Sequence, residues 1–294
     1  MQPQSTATFV DRLKAWPQYL MPGHLLSLLM LRLTRIRHTG FKNRFIDWFL
    51  GRFEIDMTQA VESDPHAYPD FNSFFTRALK PGMRPIAPDA TEIACPVDGT
   101  VSQIGGVMEG RVFQAKGHDF SLQQLLGGQE AWAAPFRDGR YTTIYLSPKN
   151  YHRIHMPVDG TLRSMVHVPG RLFSVNPATT RVVPGLFARN ERVVAFFDTV
   201  CGPMAMVMVG AVFVGGVETV WHGMVTPPAG KVVRLWTYSG DKAQTFKKGD
   251  EIGRFNMGST VILVFGNDAI RWEATLGHQT EVVMGQRLGR FPAK

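Results

Sequence analysis

Residues 255–263 read FNMGSTVIL, and the apolar run continues through Val264 and Phe265. Read as a strand, Val261 to Phe265 is apolar on both faces, and such a strand is buried in a core rather than laid on a surface. The small step Gly258-Ser259-Thr260 stands directly in front of it. A serine there is either a turn hydroxyl bonded to nearby backbone or a nucleophile held on a rigid element. The step alone does not choose between them; its neighbours must.

Outward from this strand the chain repeats the same texture. YTTIYLS (141–147), RVVAFFDT (192–199) and MAMVMVGAVFVGG (204–216) are short β-like runs punctuated by glycine, and from about residue 93 they predict a β-rich body. One phrase recurs, PVDGTV at 96–101 and PVDGTL at 157–162, each ending a connection and opening an apolar run. With KKGDEIGRFNMGS (247–259), the two copies resemble the hairpins of biotinyl- and lipoyl-carrier barrels. The expected fold class is therefore α+β, a β-rich body with barrel-sandwich hairpins preceded by N-terminal amphipathic helices. A carrier's lysine turn is missing, so the likeness concerns architecture only.

The front of the chain differs. HLLSLLMLRLTRIRH (24–38) and FKNRFIDWFLG (41–51) carry helical spacing, and Arg32, Arg35, Arg37, Lys42, Arg44 and Arg52 face a single acid, Asp47. Basic amphipathic helices with aromatic residues suit an anionic lipid interface, and equally suit a helix pair packed on the body with a solvated basic face. DFNSFFTRALKPG (70–82) predicts a further helix with Phe71, Phe74, Phe75 and Leu79 on one core-facing side. The division expected is residues 1–60 as membrane-associating helices and 61–294 as the catalytic body.

A chain of 294 residues with 44% hydrophobic and 19% charged residues reads as globular, and its net charge of +8 favours anionic partners, nucleic acid or acidic membrane. Cys95 and Cys201 lack metal-type spacing and point to a reducing compartment. The first residues, MQPQSTATFVDRLKAWP, lack the apolar stretch of a secretory signal, and no apolar run is long enough to span a bilayer.

Two histidines, His152 and His155, sit in LSPKNYHRIHMP (146–157). As extended chain their spacing puts them on opposite faces; in a helical turn they would share one. As metal ligands they lack companions. As acid–base groups they need a nucleophile and a carboxylate, and Ser259, Asp98 and Asp159 are available.

FFTRALKPGMRPI (74–86), CPVDGTVSQIG (95–105), QAKGHDFSLQQLLGG (114–128), YLSPKNYHRIHMPVDG (145–160), GRLFSVN (170–176), GLFARNERV (185–193), VGGVETVW (214–221) and then the Gly-Ser-Thr step follow one another in the order found in the prokaryotic phosphatidylserine decarboxylase proenzyme family. The sequence strongly resembles that family. The resemblance implies self-processing to a pyruvoyl cofactor. The Ser259 hydroxyl attacks the Gly258 carbonyl in an N-to-O acyl shift. Elimination then releases residues 1–258 as the β chain and leaves dehydroalanine, which hydrolyses to ammonia and a pyruvoyl group heading the α chain, 259–294. It further implies His155 as the base, oriented by Asp98, with Asp159 a turn residue. Pyruvoyl at 259 would condense with the amine of phosphatidylserine, and His152 would reprotonate the carbon that loses carbon dioxide, giving phosphatidylethanolamine.

Where the family usually has leucine this chain has Met257. The two are close in volume, so processing should survive the exchange. A lipid substrate favours membrane over nucleic acid as the partner of the basic front. It implies a peripheral protein on the cytoplasmic face of the cell membrane, and the family suggests a homodimer. Two rival readings are a serine hydrolase using Ser259, His155 and Asp98, which lacks G-x-S-x-G, and a non-enzymatic lipid- or carrier-type binding module.

Overall fold

A computed structural model describes residues 7–115, 118–213, 216–227, 230–266 and 268–293. The first helix, α1 (Phe9–Ala15), starts on a reciprocal cap: the Asp11 N–H donates to the Thr8 hydroxyl and the Thr8 N–H to the Asp11 carboxylate. Next come α2 (Gly23–Leu33) and α3 (Thr39–Arg52), inside the stretches that the apolar spacing predicts. The helix expected over 70–82 is a single short element, α4 (Phe71–Phe75). After Thr76 the backbone is claimed by another partner: the Val61 N–H donates to the Ala78 carbonyl and the Lys80 N–H to the Gln59 carbonyl, so Leu79 sits in a bridge opposite Ala60. Phe71, Phe74 and Phe75 are nevertheless buried, as their spacing predicts. No helix among the described residues is long and apolar enough to cross a membrane.

The body is built on an antiparallel nine-stranded sheet. Its order is Arg234–Thr237, Gly160–Val168, Arg192–Thr199, Gly202–Val209, Ser259–Phe265, Arg140–Leu146, Gly99–Gly106 and Glu281–Val282, with Gln244–Phe246 also pairing with Gly160–Val168. A four-stranded sheet contains Gly223–Thr226, Val217–Thr219, Glu251–Phe255 and Arg153–His155 in that order.

The Ser259–Phe265 strand is central, paired with Arg140–Leu146 on one side and Gly202–Val209 on the other, and all seven of its residues are buried. Val261, Leu263 and Phe265 enter one core with Ile144, Leu146, Met206 and Met208; Ile262 and Val264 enter a second with Ala205, Val207 and Val209. The double-sided apolar pattern thus records a sheet covered on both faces.

That covering overturns the barrel-sandwich expectation. Among the described residues no sheet closes on itself; the large one is an open path with Arg234–Thr237 at one end and Glu281–Val282 at the other. The two PVDGT phrases lead into Gly99–Gly106 and Gly160–Val168, which are not partners: four strands stand between them. A small barrel has one inward face to fill, whereas this sheet has an apolar layer on each side and gains nothing by curling round one interior. The α+β class stands, with open antiparallel sheets and N-terminal helices.

Candidate active site

Ser259 is the first residue of the central strand, opposite Leu146. It is fully buried, and its Oγ has no hydrogen-bond partner among the described residues. A buried hydroxyl left unpaired costs about 1–3 kcal/mol, so its retention calls for a reason. The residue two before it supplies a second anomaly. Met257 has φ +114°, a backbone conformation that side chains rarely adopt and that costs on the order of 1–3 kcal/mol. Its side chain packs on the aromatic cluster of Phe49, Phe71, Phe74 and Phe75, so the helices of the chain's front hold the strained residue in place. Gly258 lies between: a Cβ there would sit 3.5 Å from the Leu146 carbonyl oxygen and 4.0 Å from Cε1 of His152.

His152 therefore lies beside Gly258. It is fully buried and stacks on Phe75 with ring centroids 4.1 Å apart. Neither ring nitrogen has a well-formed hydrogen bond among the described residues, and the Pro148 and Ser147 backbone groups only weakly favour the cation. Burial, then the positive charge of Arg77, pushes its pKa down to about 3, so the imidazole is neutral.

His155 points elsewhere. Its Nδ1 donates to the Gly249 carbonyl at 2.8 Å, which fixes Nε2 as the nitrogen with the lone pair, and the Tyr151 hydroxyl bonds that nitrogen at 3.1 Å. Burial lowers its pKa as well. Of the two readings of the histidine spacing, the extended one applies: His155 ends the Arg153–His155 strand and the two rings contact different partners.

The Asp98 carboxylate is buried and held by the Arg84 guanidinium, Nε to Oδ1 at 2.9 Å, and by the Met284 N–H at 2.8 Å. It adjoins His155 through the backbone, since the His155 N–H donates to the Pro96 carbonyl. Asp159 accepts from the Lys248 N–H at 2.8 Å and from Lys247 Nζ at 2.9 Å.

The fold thus gathers Gly258, Ser259 and His152 at one point and sets His155, Tyr151, Asp98 and Arg84 beside it in bonded pairs. Sequence reasoning missed Arg77, Arg84, Tyr151 and the backbone of Met257. Arg77 and Arg84 stand in FFTRALKPGMRPI, where an arginine after a helix reads as an ordinary terminal cation. Only the tertiary packing shows Arg77 buried and Arg84 half-buried against Asp98.

A pyruvoyl group is made from a serine whose hydroxyl can reach the preceding carbonyl. The residues present fit it, because Ser259 Oγ is unbonded, desolvated and next to a glycine. A family model described as phosphatidylserine decarboxylase matches residues 71–290, and a second, described as PSD, matches 13–54. The chain belongs to the phosphatidylserine decarboxylase family. Among its relatives in that family, the phosphatidylserine decarboxylase proenzyme of Marinobacter nauticus is 54% identical over 97% of this chain and 100% of its own. The proenzyme of Pseudomonas putida is 54% identical over 95% and 97% respectively, and that of Idiomarina loihiensis 52% over 94% and 95%.

Proposed function

We propose that this chain is the precursor of a pyruvoyl-dependent phosphatidylserine decarboxylase, which cleaves itself between Gly258 and Ser259 and then converts phosphatidylserine to phosphatidylethanolamine and carbon dioxide. The observation that carries this reading beyond family membership is the buried, unpartnered Ser259 hydroxyl, in a Gly258–Ser259 step preceded by strained Met257 and with His152 nearby.

A serine hydroxyl is a weak nucleophile and needs a base as it attacks the Gly258 carbonyl. The family resemblance gives that role to His155: its Nδ1–H is committed to Gly249, so Nε2 accepts protons, and the Tyr151 hydroxyl on that nitrogen must yield to, or relay from, the Ser259 hydroxyl. The Asp98 charge favours the imidazolium that results, and Arg84 keeps Asp98 in place. A pyruvoyl group supplies an electrophilic carbonyl that captures the substrate amine and takes up the electron pair released with carbon dioxide. His152, desolvated against Phe75, gives up a proton readily once it has received one, and it delivers that proton to the substrate's α-carbon. The nearness of His152 to Gly258 favours a second reading, in which His152 is the base for cleavage.

The membrane assignment rests on how the front helices dock. α1 and the turn that follows it (Trp16–Tyr19) are fastened by polar groups, Arg181 Nη2 to Asp11 at 2.9 Å and Gln18 Nε2 to Thr179 at 3.1 Å, while Phe9, Val10, Leu13 and Trp16 face outward. In α2 the buried residue is Ser27, and Leu25, Leu29 and Leu33 are exposed. This inverts the usual arrangement of an amphipathic helix on a soluble body and suits an apolar phase outside. Residues 1–60 form the membrane-associating part and 61–294 the catalytic part, on the cytoplasmic face of the cell membrane; a homodimer follows from the family resemblance alone.

Intact mass spectrometry tests the core of the proposal. Purified protein should give fragments 1–258 and 259–294, the shorter one blocked by pyruvoyl, and Ser259→Ala should give one uncleaved chain that releases no carbon dioxide. A free N-terminal serine on the short fragment would remove the cofactor, and an intact active wild type would favour a hydrolase. His152→Ala should cleave yet lose about 10²- to 10⁴-fold in decarboxylation; failure to cleave would make His152 the processing base.

A further inference from the structure

We propose that Arg77 is the phosphate anchor of the substrate site, its guanidinium taking the phosphodiester of the lipid headgroup when the amine reaches residue 259. The inference rests on the decarboxylase reading above and adds the group that holds the substrate.

Arg77 is 5% exposed, yet its Nε and Nη1 have no partner among the described residues, and Nη2 reaches only the Lys149 carbonyl at 3.4 Å, long for such a bond. The contrast with buried Arg192 and half-buried Arg84 is informative. Arg192, 2% exposed, spends its nitrogens on the carbonyls of Leu125, Gln124, Ala188 and Asn190; Arg84 is matched by Asp98. A buried cation normally has a carboxylate or a set of carbonyls. Arg77 has a ring, Phe74, 5.9 Å from its guanidinium carbon, and a free donor edge.

That edge lies at the reaction site. Phe75 stacks on His152, the Arg153 Nε donates to the Thr76 carbonyl at 2.9 Å, and Arg77 reaches Lys149, so residues 75–77 run along 149–153. The charge of Arg77 is accordingly felt by His152, which itself lies beside Gly258.

Adjacent Nε and Nη donors form a planar fork that fits two oxygens of a carboxylate or a phosphate. A phosphatidylserine headgroup carries both. A cation clamped on the departing carboxylate would stabilise the ground state more than the transition state, because negative charge leaves that group as carbon dioxide forms, and the reaction would slow. The phosphodiester keeps its charge throughout, so anchoring it positions the amine and the α-carbon at no such penalty. Arg77 also follows α4, whose phenylalanines pack on α3; it comes from the helical side of the site, where the lipid would enter.

The test uses cleaved enzyme and two substrates: dihexanoyl phosphatidylserine, and an O-alkyl serine with the same amine and carboxylate but no phosphate. Arg77→Gln should lower kcat/KM for the phospholipid by about 10²-fold, mainly through KM, and lower it for the phosphate-free substrate by a far smaller factor, which reads only the loss of a charge near His152, while Arg77→Lys should recover part of the loss on the phospholipid. Equal loss on both substrates would assign Arg77 to the carboxylate and overturn the proposal, as would no loss on either. If Arg77→Gln does not cleave, calorimetric binding of dihexanoyl phosphatidylserine to the uncleaved Ser259→Ala chain decides. Binding abolished by Arg77→Gln at an unchanged melting temperature supports the anchor; equal binding with and without Arg77, or loss only through unfolding that Arg77→Lys does not repair, overturns it. Inorganic phosphate binding as tightly as the phospholipid would make this a free-phosphate site instead. Failure of the parent reading has its own signature, a wild type that neither cleaves nor decarboxylates.

Discussion

Met257 and His152 are the two residues whose conformation or environment is hardest to account for without chemistry. The positive φ of Met257 stores energy one residue before the bond proposed to break. If attack on the Gly258 carbonyl releases that strain, a residue comfortable at positive φ removes the drive. Met257→Gly should therefore cleave about tenfold more slowly than Met257→Ala, which loses the same aromatic packing but keeps the backbone cost; a time course on a denaturing gel reads the difference, and equal rates would leave the strain without a role. His152 makes a prediction in pH. Its folded pKa is about 3 against an ordinary 6.5, so between these values the unfolded chain binds a proton that the folded chain does not. Stability attributable to this residue is thus intact above about pH 6.5 and is lost as pH falls toward 3, with a slope of up to about 1.4 kcal/mol per pH unit. In the Ser259→Ala background, adding His152→Gln should flatten the fall in melting temperature over that window, and parallel curves would show that burial does not hold the ring neutral.

Among the elements, α1 and α2 combine a polar docking side with an apolar outer side. Trp16 and Leu20 are 75% and 91% exposed and carry little of the fold, so changing both to serine should leave the melting temperature in place. Each large apolar side chain moved from water to lipid contributes about 1.5–3 kcal/mol, and vesicle binding in a flotation assay should drop at least tenfold. The basic contribution is narrower than the sequence count suggests: Arg32, Arg37, Arg44 and Arg52 are exposed, whereas Lys42 is buried with its Nζ on the His66 carbonyl at 2.7 Å. Those exposed charges should make binding to anionic vesicles fall with salt. Undiminished binding by the double variant would move the membrane face to another part of the surface.

Across the whole molecule, the order of strands determines what cleavage does. The fragment 259–294 begins with the strand that lies between Arg140–Leu146 and Gly202–Val209, and its side chains enter both cores. Processing alters the ladder at residue 259 alone, whose nitrogen leaves as ammonia, and keeps the pairing from Thr260 to Phe265. The two chains should co-elute on size exclusion after cleavage and part only in denaturant; separation under native conditions would contradict the buried central strand.

The amino-acid sequence by itself determined the local facts: a strand apolar on both faces, a Gly-Ser step at its start, amphipathic basic helices at the front, a phenylalanine face at 71–75, and family motifs reaching from residue 74 to the Gly-Ser-Thr step. It did not determine that the sheet stays open, because alternation reports which positions are apolar and not whether one interior or two separate layers cover them. It did not determine which side of α1 faces outward, since a polar side chain such as Asp11 becomes a docking group only when Arg181 is brought to it. Nor did it mark Arg77, whose isolation depends on which carboxylates the fold leaves out of reach. Those outcomes belong to contacts between residues far apart in the chain, and only the tertiary structure decides them.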